Sequence, residues 1–233
     1  MVTIRKANER GRTRIGWLDG WHTFSFGEYH DPEHMNFRAL RVINDDTVAP
    51  GGGFATHPHR DMEIITIVLD GVLAHRDSLG SEGTIRPGEV QVMSAGSGIR
   101  HSEFNGSQEH PVHLLQVWVI PQARGLTPAY EQKRFEPSES AGRFRRVAGR
   151  DGGDGSLTIN QDVDILVADL SRGQSAGHAI RDGRGAWVHV ATGSATVNGI
   201  DLNAGDAAAV EAERGVEVRA GVDGTKVILF DCA

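Results

Sequence analysis

The stretch "GGGFATHPHRDMEIITIVLDG" (residues 51–71) places two histidines and an acid next to a β-branched apolar run. His57 and His59 are separated by a single residue, and the run "EIITIVL" follows them closely. Successive side chains of an extended strand point to opposite faces, so residues two apart share a face. If this stretch is extended, both imidazoles can reach one metal ion, and the apolar run predicts a buried strand beside them.

Short apolar runs closed by Gly, Pro, Asn or Asp recur along the whole chain, and each predicts a strand. The chain has 30 glycines in 233 residues, about double the ~7% of average usage, which suits many tight turns. Only "TPAYEQKRF" (127–135) has a pattern that we would read as helix. An all-β sandwich or barrel is therefore expected. The predicted strands are "FRALRVIND", "EIITIVLDG", "EVQVMSAG", "HLLQVWVIP", "VDILVADL", "AWVHVATG", "SATVNGI", "AAAVEAE" and "TKVILFDCA".

The two halves of the chain resemble each other. The segment "IITIVLDGVL…IRPGEVQVMSAG" and the segment "AWVHVATGSATVNGIDLNAGDAAAVEA" both read strand, glycine turn, strand, and then a Gly-acid pair that opens another strand. A repeat of this size predicts two domains rather than a solenoid. We place them at residues 1–137 and 138–233, with the charged, glycine-rich segment 138–156 as the linker.

Composition excludes several classes of protein. The chain is 39% hydrophobic and 24% charged with a formal net charge of −7, and it has no Lys/Arg cluster, so direct nucleic-acid binding is not expected. No apolar run approaches the ~20 residues of a membrane span, and the N-terminus lacks a signal-peptide core. Cys232 is the only cysteine, which excludes a disulfide or a cysteine zinc site within the chain. We expect a soluble, monomeric, cytoplasmic protein.

A second stretch, "GEVQVMSAGSGIRHSEFN" (88–105), repeats the spacing of the first with different residue types. His101 and Glu103 are two residues apart and share a face if the segment is extended. Together with His57 and His59 they predict a site of three imidazoles and one carboxylate. The other histidines of the first half, and one of the second, are expected to be surface or hydrogen-bonded residues: His22, His30, His34, His75, His110, His113 and His189.

The pattern G-x5-HxH-x3-E…G, followed by a Gly-rich turn and H-x3-N, resembles the two cupin motifs, and the duplication resembles a bicupin. More narrowly, "WHTFSF", "RVINDD", "THPHRDMEI", "MSAGSGIRHSE" and "TPAYEQKRF" resemble the pirin family. The similarity runs over essentially the whole chain and is densest from residue 17 to 135. It implies two stacked cupin jelly-roll barrels, with metal only in the N-terminal one.

The resemblance also implies the metal ligands. Pirins resemble one another in using the acid after the last histidine, so the ligands would be His57, His59, His101 and Glu103. General cupins would use Glu63, and this chain departs from their pattern by having Ser94 in place of a proline and two extra residues before His101. Glu63 follows His59 by four residues, so on an extended strand its side chain would point to the same face as His57 and His59. We therefore expect Glu63 next to the metal ligands, without binding the metal itself. Either acid could be the catalytic base, and Glu103 is our assignment.

In the second repeat the site is not reproduced. His178 lies near the expected position, but its period-two partner is Ile180, and nothing matches His101. We therefore expect a structural, metal-free C-terminal barrel.

The donor set indicates the chemistry. Imidazoles and a carboxylate without thiolates disfavour structural zinc and suit one divalent ion, Fe(II) first, with Mn, Co, Ni, Cu and Zn as alternatives. Some pirin-like proteins are quercetinases, so the resemblance implies cleavage of a flavonol with O2 and release of carbon monoxide. Two alternatives use the same ligands. One is a non-enzymatic, metal-dependent regulator resembling a transcriptional cofactor or a redox-sensitive regulator, and the other is a cupin isomerase or an enzyme for another small chelating substrate.

Overall fold

The structure, a computed structural model, describes residues 1–233 and consists of 22 strands with one short helix, α1 (Pro137–Ser140). Single 3₁₀ turns lie at Ala7–Glu9 and Gly153–Gly155. The strands, in chain order, are β1 (Val2–Arg5), β2 (Gly11–Ile15), β3 (Leu18–His22), β4 (Leu40–Val48), β5 (Gly53–His59), β6 (Glu63–Asp70), β7 (Leu73–Asp77), β8 (Glu82–Ile85), β9 (Glu89–Ser94), β10 (Ile99–Asn105), β11 (Val112–Val119), β12 (Ala129–Arg134), β13 (Arg145–Gly149), β14 (Leu157–Thr158), β15 (Val163–Leu170), β16 (Ser175–Ala179), β17 (Gly185–Thr192), β18 (Ser194–Val197), β19 (Ile200–Asn203), β20 (Ala207–Glu211), β21 (Gly215–Ala220) and β22 (Thr225–Cys232).

Each half of the fold combines a seven-stranded sheet with a four-stranded sheet. In the first half the strand orders are β12-β9-β6-β11-β4-β3-β2 and β5-β10-β7-β8. In the second half they are β1-β20-β17-β22-β15-β13-β14 and β16-β21-β18-β19. The prediction of an all-β protein is confirmed, and every segment predicted as a strand contains one.

The helix predicted in residues 127–135 is wrong, because this segment forms strand β12. It pairs with β9 in antiparallel register from Ala129 opposite Ser94 to Arg134 opposite Glu89. Glu, Gln, Lys and Arg favour helices only weakly, and six residues of backbone pairing along a sheet edge outweigh that preference.

The segment 138–156, predicted as a linker, also contributes to the fold. Its residues 145–149 form β13, which pairs with β15 in the large sheet of the second half. Val147 and Ala148 are buried, which explains why a segment rich in charge and glycine is nevertheless a strand.

The division of the chain into two domains at 137/138 stays a prediction. Strands β2–β12 precede it and β13–β22 follow it, but β1 pairs with β20 and so belongs to the sheet of the second half.

The internal repeat reappears as equivalent turns. Gly71, between β6 and β7, has φ +81°, and Gly193, between β17 and β18, has φ +77°. A Cβ atom would lie 2.6 Å from the Pro111 carbonyl oxygen at Gly71 and 2.5 Å from Thr225 Oγ1 at Gly193. Both the left-handed backbone and the close approach require glycine at these two turns.

The two large sheets face each other and share one core. Its 25 buried residues come from both halves, including Ile43 and Leu115 of the first half and Ile165, Trp187 and Phe230 of the second. Each half has a further apolar cluster inside its own pair of sheets. This arrangement leaves the four-stranded sheets on the outside, and the small sheet of the first half carries the histidines.

Candidate metal centre

The predicted ligands lie on two neighbouring strands of the small sheet. Strand β5 carries His57 and His59, and β10 carries His101 and Glu103. The strands are antiparallel, with His101 directly opposite His57 and an irregularity in register between His101 and Glu103. Period-two spacing on adjacent strands therefore brings both pairs to one face, as the sequence predicts.

The three imidazoles form a compact cluster. Their ring centroids lie 4.5 to 4.8 Å apart, and one ring nitrogen from each lies within 4.8 Å of the others. His57 Nδ1 donates to the Ala55 carbonyl oxygen at 2.8 Å, which leaves Nε2 of the neutral ring with a free lone pair. This nitrogen lies 3.0 Å from His101 Nε2.

Several nitrogens of this cluster fit a metal ion and lack any other partner. His59 Nε2 is buried without a hydrogen-bond partner, and His101 Nε2 has only His57 Nε2 within hydrogen-bond distance. Burial, with neighbouring His57, lowers the pKa of His59 to about 4, and burial, with His57 and His59, lowers the pKa of His101 to about 2. Both rings are therefore neutral at pH 7, which is the form that binds a metal. The residues present fit a divalent transition metal.

Glu103 lies beside the imidazole cluster at its buried end. One carboxylate oxygen is 3.9 Å from His101 Nε2. Gln116 Nε2 donates to both carboxylate oxygens, at 3.0 and 2.8 Å, and Trp118 Nε1 donates to Gln116 Oε1 at 3.3 Å. Burial raises the pKa of Glu103 to about 7, against the opposing effect of the Gln116 hydrogen bond. The carboxylate borders the cluster through His101, but the group of ligand atoms that lie within 4.8 Å of one another contains only the three histidines. Ligation by Glu103 stays a prediction.

Glu63 does not lie next to the metal ligands, contrary to our expectation. Its carboxylate accepts hydrogen bonds from Ser94 Oγ at 2.6 Å and from the Asn160 backbone N–H at 3.1 Å. On the same face of β6, Ile65 belongs to the core shared by the two large sheets. Between β5 and β6, Asp61 has φ +50°, so the alternation of faces does not continue from His59 to Glu63. Glu63 therefore faces the second half of the molecule.

A cavity of about 520 Å³ opens onto His57, His59 and Glu103. Its walls are partly aromatic: Trp118 packs edge-on against His59 at 5.0 Å and against Phe26 at 5.3 Å between ring centroids. Leu18, Ile15 and Phe54 add further apolar surface. The site can therefore hold an aromatic molecule against the imidazole cluster.

Sequence reasoning missed the polar residues of this cavity. His22, Asn44 and Asp46 line it and are buried. His22 is hydrogen-bonded, as expected of it, but its place at the cavity was not predicted. One signal was present: Asn44 and Asp46 occupy the same alternation as Val42 and Val48 in β4, where polar residues interrupt an inward-facing apolar row. His75 was also underestimated, since it is buried, lacks partners on both ring nitrogens and lies 5.3 Å from the His101 ring.

In the second half, His178 lies near the position that corresponds to the His57–His59 pair, but it contacts an acid instead of other histidines. His178 Nε2 lies 2.8 Å from Asp231 Oδ2, and Arg184 Nε donates to the other carboxylate oxygen of Asp231 at 2.5 Å. Ile180 is buried in the apolar cluster of that half.

No helix of the structure has the length and apolarity needed to cross a membrane.

Comparison with known protein families places both halves of the chain. Residues 3–119 match the family model described as Pirin, and residues 146–232 match the one described as quercetinase C-terminal cupin domain. Quercetin 2,3-dioxygenase of Escherichia coli is 46% identical over 231 residues, which are 99% of this chain and 98% of that protein. A pirin-like protein of Caulobacter vibrioides is 40% identical over the full length of both chains.

Solved structures agree with the fold. The bacterial pirin YhhW from Escherichia coli, crystallised in complex with nickel(II), superimposes with a TM-score of 0.94 at 45% identity and covers 100% of this chain and 99% of that one. The expectation of two cupin barrels is thereby confirmed. Because a pirin model matches half of the chain and close relatives match nearly all of it, the chain belongs to the pirin family.

Proposed function

We propose that this protein is a metal-dependent dioxygenase of the pirin type, which cleaves a flavonol such as quercetin with O2 and releases carbon monoxide. The observation that carries the proposal is the cavity of about 520 Å³, partly lined by aromatic side chains, that opens onto the imidazole cluster. Relatives that match almost the whole chain bear the name quercetin 2,3-dioxygenase, which supports the same substrate class.

His57, His59, His101 and Glu103 would hold the metal. The donor set suits Fe(II), and the crystal structure of a 45% identical pirin in complex with nickel(II) supports Ni(II) as an alternative. A bound divalent metal supplies Lewis-acid activation of a chelating hydroxyl group and lowers its pKa.

The side chains around the cluster have separate tasks. Trp118 and Phe26 provide aromatic walls that hold a planar substrate and exclude water. Glu103, which lies beside the cluster 3.9 Å from His101 Nε2, is the group that we assign to accept the proton of the substrate hydroxyl. Gln116 keeps that carboxylate in place with two hydrogen bonds.

The cavity also bears on the alternative of a non-enzymatic regulator. A regulator that uses a metal to set its surface charge needs no enclosed space beside the ion. The cavity of this protein has apolar and aromatic walls, formed by Leu18, Phe26, Phe54 and Trp118. Such walls suit the binding of a small molecule. We therefore place the enzyme first.

The experiment is oxygen uptake after anaerobic reconstitution of the metal-free protein with Fe(II), Mn(II), Co(II), Ni(II) or Cu(II). Wild-type protein loaded with its preferred metal should consume O2 with quercetin. His59→Ala should fall to the rate of the same metal in buffer, because free metal also promotes flavonol oxidation. His110→Ala, which alters an exposed histidine, is the matched control and should retain the wild-type rate. Uptake that persists in His59→Ala would refute the proposal.

A further inference from the structure

Asp46 is a buried carboxyl group that faces the cavity without a partner. It lies on β4, opposite Gly20 of β3 and Leu114 of β11. The residue is 4% exposed, and its Oδ1 atom is buried without a hydrogen-bond partner. Burying an unpaired polar group costs folding free energy, so such a group in a native cavity calls for a partner supplied from outside.

The fold makes room for this carboxyl group. A Cβ atom at Gly20 would lie 2.4 Å from Asp46 Oδ1, so any larger residue there would displace the side chain. Asp46 Oδ1 therefore packs against the Gly20 backbone, and the other carboxyl oxygen, Oδ2, is left to meet a ligand in the cavity.

A second polar group lines the same cavity. His22 Nδ1 lies 2.8 Å from Asn44 Oδ1, and His22 Nε2 lies 2.8 Å from Thr13 Oγ1. The Asn44 oxygen can only accept, so Nδ1 carries the proton and Nε2 accepts from the Thr13 hydroxyl. This arrangement leaves the Thr13 oxygen free to accept a hydrogen bond from a ligand.

The chemistry of the Asp46 carboxyl group indicates what it can bind. Burial, together with the nearby carboxylates of Asp45 and Glu103, raises the pKa of Asp46 to about 8. A carboxyl group accepts a hydrogen bond from a hydroxyl in both of its protonation states, and its protonated form also donates one. Such a group pairs with a hydroxyl, and the aromatic wall formed by Phe26 and Trp118 suits a hydroxyl carried on an aromatic ring.

We propose that Asp46, assisted by Thr13, is a specificity residue that hydrogen-bonds a ring hydroxyl of the substrate away from the chelating group. The inference rests on the proposed function and adds to it a preference for polyhydroxylated flavonols. Asp46 lines the same cavity as His57 and His59, so a flavonol bound at the imidazole cluster by its 3-hydroxyl and 4-carbonyl groups can present another ring hydroxyl to it.

The test compares two ligands that share the chelating groups. Quercetin carries further ring hydroxyls and 3-hydroxyflavone carries none. Dissociation constants are measured without O2 on metal-loaded protein by tryptophan fluorescence and calorimetry. Asp46→Ala should weaken quercetin binding by about tenfold, the loss of one hydrogen bond, and leave 3-hydroxyflavone binding unchanged. Asp46→Asn, which retains a donor and an acceptor, should keep most of the preference for quercetin.

Asp70→Ala alters an exposed acid and should bind both flavonols as the wild type does. Metal content and thermal unfolding verify that each variant is folded and loaded. Equal losses for both flavonols in Asp46→Ala, or no loss for either, would overturn the role of Asp46. Wild-type protein that binds neither flavonol would overturn this inference together with the proposed function, whereas wild-type turnover with an unaltered preference in Asp46→Ala would overturn the inference alone.

Discussion

His59 and His101 owe their metal-binding form to burial. In water an imidazole is partly protonated near its ordinary pKa of about 6.5, and a proton blocks the lone pair that a metal needs. At this site burial and neighbouring imidazoles depress the pKa of both rings. The Ala55 carbonyl then fixes the tautomer of His57, so that its Nε2 faces His101.

Removal of one of these imidazoles should remove the metal. We expect about one equivalent of transition metal per chain in wild-type protein, and metal affinity about 100-fold weaker or worse in His57→Ala and His101→Ala, because loss of a ligand exceeds the effect of losing a residue behind one. Elemental analysis after dialysis against a weak chelator measures this. Two equivalents in the wild type, or full occupancy in both variants, would contradict the site.

The two acids should behave differently. Glu103→Gln should weaken metal binding, because a neutral amide is a poorer donor than a carboxylate. Glu63→Gln should leave the metal in place but lower the free energy of unfolding by roughly 1–3 kcal/mol, because the Asn160 N–H and the Ser94 hydroxyl lose a charged acceptor. Metal analysis and chemical unfolding of both variants distinguish these effects. Loss of metal in Glu63→Gln alone would favour the general cupin ligand set.

Within single strands, the sequence predicts the site well. His57 with His59, and His101 with Glu103, are two residues apart on β5 and β10, and period two requires no knowledge of the rest of the fold. Across a turn the same reasoning fails. Glu63 is in phase with the histidines only if the chain stays extended, and the left-handed residue Asp61 breaks the alternation.

The repeated glycine turns carry a prediction of their own. Gly193→Ala should destabilise the protein by more than the roughly 1 kcal/mol of left-handed strain, because its Cβ would meet Thr225 Oγ1 at 2.5 Å. Gly199→Ala is the matched control. It has φ +84° with nothing within 4 Å, so only the backbone strain should appear. Chemical unfolding compares the two, and equal losses would mean that the close approach at Gly193 carries no cost.

At the scale of the whole molecule, the N-terminal segment joins the two halves. Lys6 Nζ and the Ala7 backbone N–H both donate to Asp206, in the second half, at 3.0 and 2.7 Å. Arg10 Nη1 donates to Asp45, in the first half, at 3.1 Å. Strand β1 completes the connection by pairing with β20. Pattern reasoning could not find these contacts, because each joins residues far apart in the sequence.

Asp45 should make the stability of the fold depend on pH. Burial opposes ionisation, but the hydrogen bond with His113 and the charge of Arg10 outweigh it and lower the pKa of Asp45 to about 2 from an ordinary 3.8. A depressed pKa contributes stability above the unfolded pKa, and this is lost as pH falls toward 2. Relative to Asp45→Asn, the wild type should gain about 2 kcal/mol at pH 6, shrinking between pH 4 and 2. A constant difference across that range would contradict this assignment.

The all-β class and the duplication follow from local patterns, namely short apolar runs, turn glycines and Gly-acid pairs. The cavity could not be predicted in the same way, because its walls come from β2, β3, β4, β5, β10 and β11, and from the loop around Phe26. Strands that are distant in sequence meet only through sheet order. Asp46 shows in the sequence only as a polar interruption of an apolar row, and Gln116 becomes a candidate only once the register of the large sheet is known.

The central claim is that the imidazole cluster catalyses flavonol cleavage, and carbon monoxide is its most direct product. The measurement is the amount of carbon monoxide released per quercetin consumed by metal-loaded protein in air, with the same metal in buffer and the His59→Ala variant assayed in parallel. We predict about one equivalent for the wild type and the buffer level for His59→Ala. Loss of quercetin without carbon monoxide, or equal release by the variant, would contradict the claim.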